Sequence, residues 1–317
     1  MVEIENWRSV IGRRLRLRDM NVFFAVVEHG SMVKAAAHLR ISQPAVSQVI
    51  AELEHVLGVN LFDRGPKGAE LTLYGRAVLN GGMAAFDELA QTLKQIKFLA
   101  NPTVGEVRVG CPETVAAILP PVVKEISRTH PDVVVKVHNV VAPMLDLPEL
   151  RSRELDLVLI RTTNIQSRMP ADEDLEIEVL FNDEPCIVVN RESPWARKRN
   201  ISPADIAAGE WVLPPPGSSN REAVEETLRA AGRAPLKVAA ETFSVQLRVN
   251  LLTNIRALTV LPRSMMNLYA DSMSLKVLPI PLLTKPWPVV MVTLRNRTIN
   301  PTTKLFMDAA RSQLKRL

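Results

Sequence analysis

Gln43, Ser47 and Gln48 carry hydrogen-bond donors and acceptors without charge, and their spacing puts Gln43 and Ser47 on one side of a helix. Amide and hydroxyl groups in that arrangement match base edges in a DNA major groove. Around them stand Ser31, Ser42 and Pro44 at the helix starts. Nearby Lys34, Arg64 and Lys67 offer cations for phosphate oxygens. The chemistry implied is base reading by the neutral groups and backbone holding by the cations.

Two short helices must position these groups. Ser31 is placed to cap a helix from Met32 to about Leu39. Ser42 is placed to cap a second, with Pro44 in its first turn, where a missing N–H costs nothing. Val46, Val49, Ile50, Leu53 and Leu57 repeat at helical spacing and can bury against the first helix, which the alanines at 35, 36 and 37 allow to approach closely. This is a helix-turn-helix pattern with the second helix as reader. Spacing alone leaves a plain helical domain equally open.

The flanking sequence adds to this. MNVFFAVVEHGSMVKAAAHLRISQPAVSQVIAELEHVLGVNLFDR, followed by LTLYG, resembles the amino-terminal domain of LysR-type transcriptional regulators without a gap. The matching pieces are Gly30-Ser31, Ala35-Ala36, Leu39, Ser42 to Ser47, Leu53-Glu54, Leu57-Gly58 and Leu61 to Arg64. The resemblance is specific up to Gly75 and diffuse beyond it. It implies an α+β multidomain chain: a winged helix-turn-helix, a long linker helix, and a two-lobed α/β effector domain resembling periplasmic binding proteins. One departure is Glu154, where the family usually has glycine, so the adjoining turn is expected to differ.

Composition bounds the alternatives. The chain has 317 residues, more than one core usually serves, with a formal net charge of +5. That charge suits a nucleic-acid partner without proving one. Two cysteines, Cys111 and Cys186, imply neither a disulfide framework nor a zinc cluster. No apolar run spans a membrane and the start does not read as a secretory signal, so a cytoplasmic protein is expected. The five histidines form no metal spacing or triad, and no GxGxxG or GKS/T loop is present, which argues against an enzyme and for no cofactor.

Taken in order, residues 1–16 form an extension with Trp7 and the basic Arg13, Arg14 and Arg16, read as a solvated tail, with an arm touching phosphates as the alternative. Residues 17–71 form the DNA-binding domain, beginning with a helix from about Arg18 to His29. The turn Gly65-Pro66-Lys67-Gly68 is the tip of a wing, or an ordinary solvated hairpin. A helix from 72 to about 100 carries Leu79, Met83, Phe86, Ala90 and Leu93 at heptad spacing, a seam for a second helix. Gly81 and Gly82 weaken it by about 1 kcal/mol each. Packing on its own domain is the alternative. The resemblance implies a homodimer through this helix, bringing two readers to a roughly palindromic double-stranded DNA site, and a tetramer of two dimers.

Residues 101–317 alternate strands and helices, which predicts a largely parallel sheet with helices on both faces. The pattern restarts near Glu176, suggesting lobe I over about 104–175 with 280–317 and lobe II over about 176–279; the last strand's placement comes from the resemblance. A helix is expected over Thr114–Arg128. Ligands in such folds bind beyond strand ends at helix starts. Three junctions qualify: Cys111 with Glu113 and Thr114, Ser218 with Ser219, and Thr242 with Phe243. Arg161 follows a strand and can face the same place. Together they describe a site for a small organic anion, although each hydroxyl taken alone is equally a helix cap. Glu113 opposes an anion unless a base pairs with it. A redox role for Cys111, or a regulator needing no ligand, is the alternative, and RNA polymerase is a further conceivable partner.

Overall fold

The computed structural model describes residues 14–65, 68–101, 104–140, 147–162, 174–232, 236–284 and 287–315. Trp7, Arg13, Lys67 and Pro102 lie outside the described residues. The chain divides into two units, residues 1–90 and 91–317, described in turn.

The first unit opens with α1 (Leu17–His29), α2 (Met32–Leu39) and α3 (Gln43–Leu57). Gly30 ends α1 in the left-handed region at φ 61°. Arg40 ends α2 at φ 56°, although it carries a Cβ, and its N–H and that of Ile41 return to Ala37 and Ala36 carbonyls. This tight turn sets α3 across α2. Phe23, Val26, Ala35, Ala36, Val46, Ile50 and Leu53 are buried together, the larger ones contributing about 1.5–3 kcal/mol each. Ala37 is exposed and takes no part in that contact. The Ser42 hydroxyl accepts from Ala45 N–H at 3.3 Å, as expected of a cap. Ser31 holds the cap position of α2 but its side chain makes no cap bond.

The wing is an antiparallel pair, β1 (Phe62–Gly65) and β2 (Gly68–Leu71). Glu54 of α3 fixes its base, accepting from Leu61 N–H at 2.7 Å and Phe62 N–H at 3.3 Å. Thr72 then caps α4 (Leu73–Ala100) by accepting from Gly75 N–H at 3.0 Å.

Helix α4 corrects the expected seam. Phe86 meets Phe24 of α1 edge-on with ring centroids 5.2 Å apart, and Leu79 packs on the same core. Gly82 lets the helices approach closely there: a Cβ would lie 2.5 Å from Met20 Cε and 2.9 Å from the Phe24 ring, so those side chains would have to shift. The upper half of the seam therefore covers its own domain. The exposed apolar stripe starts later, at Leu89, Leu93, Ile96 and Leu99.

In the second unit, five strands form the sheet of lobe I in the order β4 (Val133–Asn139), β3 (Gly105–Cys111), β5 (Leu157–Arg161), β12 (Trp287–Leu294), β6 (Leu175–Asp183). β3 runs parallel to β4 and β5, whereas β12 is antiparallel to both β5 and β6. The sheet is thus mixed. The reason is the chain path: β6 leaves for lobe II and β12 returns, so the two crossing strands oppose one another. β6 belongs wholly to the first sheet, and the crossing falls at Asp183–Pro185 rather than near Glu176. The helix expected over 114–128 is split into a turn at Glu113–Ala116 and α5 (Pro120–Thr129). Pro120 and Pro121 supply no N–H, so the helical bonds back to the carbonyls of residues 116 and 117 cannot form, and a new helix starts at the prolines. Ahead of β5 the left-handed residue is Arg153, φ 64°, and Glu154 is exposed beside it, accepting from Ser152.

Lobe II holds the antiparallel set β10 (Thr259–Pro262), β7 (Pro185–Asn190), β11 (Leu275–Val277) and the parallel pair β8 (Glu210–Leu213), β9 (Lys237–Glu241). α6 (Ser219–Ala230) follows β8 and α7 (Val245–Asn254) follows β9. The chain closes with α8 (Pro301–Leu314), capped by Asn300, whose side chain accepts from Thr303 N–H.

A buried charge cluster ties the end of α4 to lobe I. Asp156 accepts from Arg108 N–H at 2.9 Å and from its guanidinium at 2.9 and 3.3 Å, and from Arg297 at 3.2 Å. Lys94 of α4 stands 3.7 Å away. Beside it Asn300 donates to Gln91 Oε1 at 2.8 Å.

Candidate functional site

The reading helix presents its groups as its caps and apolar stripe require. Val46, Ile50 and Leu53 face inward, which turns Ser42, Gln43, Pro44 and Gln48 outward. Gln43 Nε2 donates to Ser47 Oγ at 2.8 Å, and that hydroxyl donates to Met32 Sδ at 3.3 Å. Gln43 is thereby held along the helix face with its carbonyl oxygen and remaining N–H available. Gln48 instead donates to Glu52 at 3.0 Å. Lys34 is exposed on α2, and Ser31 is half-buried at its start. Arg64 pairs through its backbone with Ala69; its side chain and Lys67 lie outside the described residues. Arg40, exposed next to the reader, was missed in the sequence. No composition signal marks it, since turn chemistry would favour Gly or Asn at its left-handed position.

In the second unit, the structure gathers two of the three predicted junctions where the lobes meet. Cys111 ends β3 and is fully buried. Two residues on, Glu113 reaches lobe II, its carboxylate accepting from Val245 N–H at 2.7 Å and Gln246 N–H at 3.3 Å. Thr242 accepts from Ser244 N–H at 3.1 Å, and Ser244 accepts from Leu247 N–H at 3.3 Å. The start of α7 is therefore fully bonded, not a set of free N–H groups as the sequence suggested. Phe243 is exposed beside it.

Arg161 is committed within the protein. Its guanidinium pairs with Asp183 at 2.8 and 2.9 Å and donates to Thr114 Oγ1 at 3.2 Å and Ser264 Oγ at 3.1 Å. Burial draws its pKa down and the Asp183 charge opposes that. Asp183 also accepts from Ser264 N–H at 3.1 Å and its hydroxyl at 2.5 Å. The arginine thus locks the strand crossing to lobe II. Asp183 and Ser264 escaped sequence reading because a lone Asp at a strand end and a lone Ser carry no spacing signal.

The junction at Ser218 differs. The Ser218 hydroxyl donates back to the Pro215 carbonyl at 2.9 Å and does not cap α6, whose first residue is Ser219. The end of β8 ahead of it lies beside the third junction, since Thr242 N–H donates to the Leu213 carbonyl at 2.9 Å. The Asn220 Oδ1 there is buried without a partner.

Burial pushes both thiols, Cys111 and Cys186, up to about 12, with opposing Arg161 and Arg263 charges too weak to reverse it. Reactive thiols are exposed and acidic, so these two have the character of inert core residues.

Two family descriptions match this architecture. Residues 17–76 match "Bacterial regulatory helix-turn-helix protein, lysR family", and residues 100–315 match "LysR substrate binding domain". The chain belongs to the LysR family. This family consists of DNA-binding transcriptional regulators rather than enzymes, and DNA binding and self-association are its common properties. Among similar proteins is the HTH-type transcriptional regulator GbpR of Azospirillum brasilense, 27% identical over 312 residues, covering 97% of this chain and 88% of that protein. The regulator YdcI of Escherichia coli strain K12 is 26% identical over 96% of this chain and 98% of its own. In fold the chain resembles a full-length OxyR variant from Pseudomonas aeruginosa, TM-score 0.62 at 19% identity, covering 93% of this chain and 97% of that one. It also resembles full-length CbnR complexed with target DNA, TM-score 0.61 at 22% identity, covering 94% and 99%. Among the described residues no helix is long and apolar enough to cross a membrane, and no three His, Cys, Asp or Glu residues gather as a metal site.

Proposed function

We propose that this LysR-family regulator acts in the cytoplasm as a homodimer, two dimers forming a tetramer on a roughly palindromic operator, and that a small organic acid between its lobes sets its output. RNA polymerase is the further partner this reading calls for at a promoter. Gln43 and Ser47 read base edges, Pro44 sets the start of the reader, and Lys34, Arg64 and Lys67 hold phosphates. The Gln43–Ser47 bond supports this, because it holds an amide in place on the outward face of α3. Gln43→Ala is expected to cost about 1–3 kcal/mol of discrimination at one base step. Arg64→Ala should instead weaken matched and mismatched operators alike. Measuring both variants on both operators checks this; equal loss for Gln43→Ala removes it as a reader.

The effector reading rests on one observation: a carboxylate from lobe I already reaches the helix start of lobe II. A ligand favouring one lobe arrangement shifts the population between them. The test is a thermal-shift screen of small carboxylic acids on the full chain, then titration of hits into the operator complex. A true effector at about a hundred times its Kd should add about 2.7 kcal/mol of stability and change operator affinity by about 5–150-fold. Stabilisation with no change in DNA binding defeats the reading.

A further inference from the structure

Glu113 and Arg248 make the start of α7 unusual. A helix start carries partial positive charge and unsatisfied N–H groups. Here two of them, on Val245 and Gln246, are bonded by one carboxylate from a residue 132 positions earlier, in the other lobe. Arg248 lies one turn along the same helix and is 1% exposed. One guanidinium nitrogen donates to the Val260 carbonyl at 2.9 Å, and its Nε is buried with no partner. Buried charges are ordinarily paired, yet no carboxylate lies in ion-pair range of Arg248 among the described residues. Burial draws its pKa down to about 10, and the charge that opposes this is that of Glu113. Arg161 cannot share the role, being held by Asp183.

We propose that the start of α7, backed by Arg248, is a carboxylate-binding site whose resident occupant is Glu113, and that an external carboxylate binds by displacing Glu113 and so releases the tether between the lobes. The inference rests on the reading that the effector binds between the lobes, and it supplies a regulation for that site. Its consequence runs against intuition for a binding-site residue. A tethered occupant competes at high effective concentration, and apparent affinity falls with the fraction of protein in which the site is open. Removing Glu113 should therefore strengthen carboxylate binding.

The test uses sodium acetate against sodium chloride at matched ionic strength, with melting of the full chain as readout. Glu113→Ala should show a saturable rise in Tm with acetate, at concentrations about tenfold or more below any that move the wild type. Adding Arg248→Met to that variant should abolish the rise. Glu113→Gln, which keeps the shape and one acceptor oxygen, serves if the alanine variant folds poorly, and should also respond to acetate below the wild-type range. Equal acetate response in wild type and variants, or none in the variants, overturns the proposal. The outcome separates from that of the effector reading. Acetate binding to Glu113→Ala without altered operator affinity keeps the receptor and defeats the regulatory reading. A metabolite that changes wild-type operator binding, with no acetate response in the variants, keeps the reading and defeats the receptor.

Discussion

Asp156→Asn should lower the Tm of the second unit by about 6–20 °C. The substitution leaves Arg108, Arg297 and Lys94 around a neutral amide, where now one buried carboxylate accepts from both arginines and faces the lysine. Removing one partner from a buried ion cluster costs about 3–5 kcal/mol, because the remaining charges stay desolvated. A unit of this size loses about 2–4 °C per kcal/mol. The pH dependence carries a sign. Burial alone would raise the Asp156 pKa, but the hydrogen bonds from Arg108 and the Lys94 charge outweigh it, and the net shift is downward. The folded pKa lies below the unfolded value of about 3.9. Its stabilisation is therefore complete above that value and is lost as pH falls through the lower folded pKa. The Tm gap between wild type and Asp156→Asn should be full at neutral pH and shrink in acid below about pH 4. A gap unchanged by acid, or a Tm within a degree or two of wild type at pH 7, removes the cluster as an anchor for α4. Glu125→Gln, which breaks the exposed pair with Arg128, should leave Tm unchanged.

What the sequence disclosed follows from distance along the chain. The bounds of α2 and the Ser42 cap depend on residues a few positions apart, and both match the structure. The split at Pro120 was equally local, but the apolar run across it masked the break. Contacts between distant residues left no pattern. Glu113 could be named as an awkward carboxylate, yet nothing local says that it crosses to Val245. Arg161 was legible as a cation at a strand end, but its partner Asp183 was not. Arg248 reads as one polar position on an ordinary helix until its burial is known. The strand β6 shows the same limit: its residues alternate as a strand should, and only pairing with β12 decides which lobe owns it.

Helix α4 gives the sharpest case, and the largest expected effect on function. Periodicity shows that a face is apolar, not what covers it. Leu79 and Phe86 are covered by their own domain, whereas Leu93 is 60% exposed and Ile96 55% exposed. Leu89, Leu93, Ile96 and Leu99 continue at intervals of four, three and three, a stripe that a second α4 can bury. Leu93→Glu with Ile96→Glu should therefore give a folded monomer, since neither side chain is needed inside its own chain. Losing the second reader removes the avidity of two linked half-sites, and operator affinity should fall by about 10²–10⁴-fold, with weak half-site binding retained. Phe86→Glu should act differently. It places a charge against Phe24 and should unfold the first unit before it affects assembly. Sedimentation, melting and operator titration of the two variants separate these outcomes. A double variant that sediments and binds as wild type shows that the pairing surface lies elsewhere than on the exposed stripe of α4.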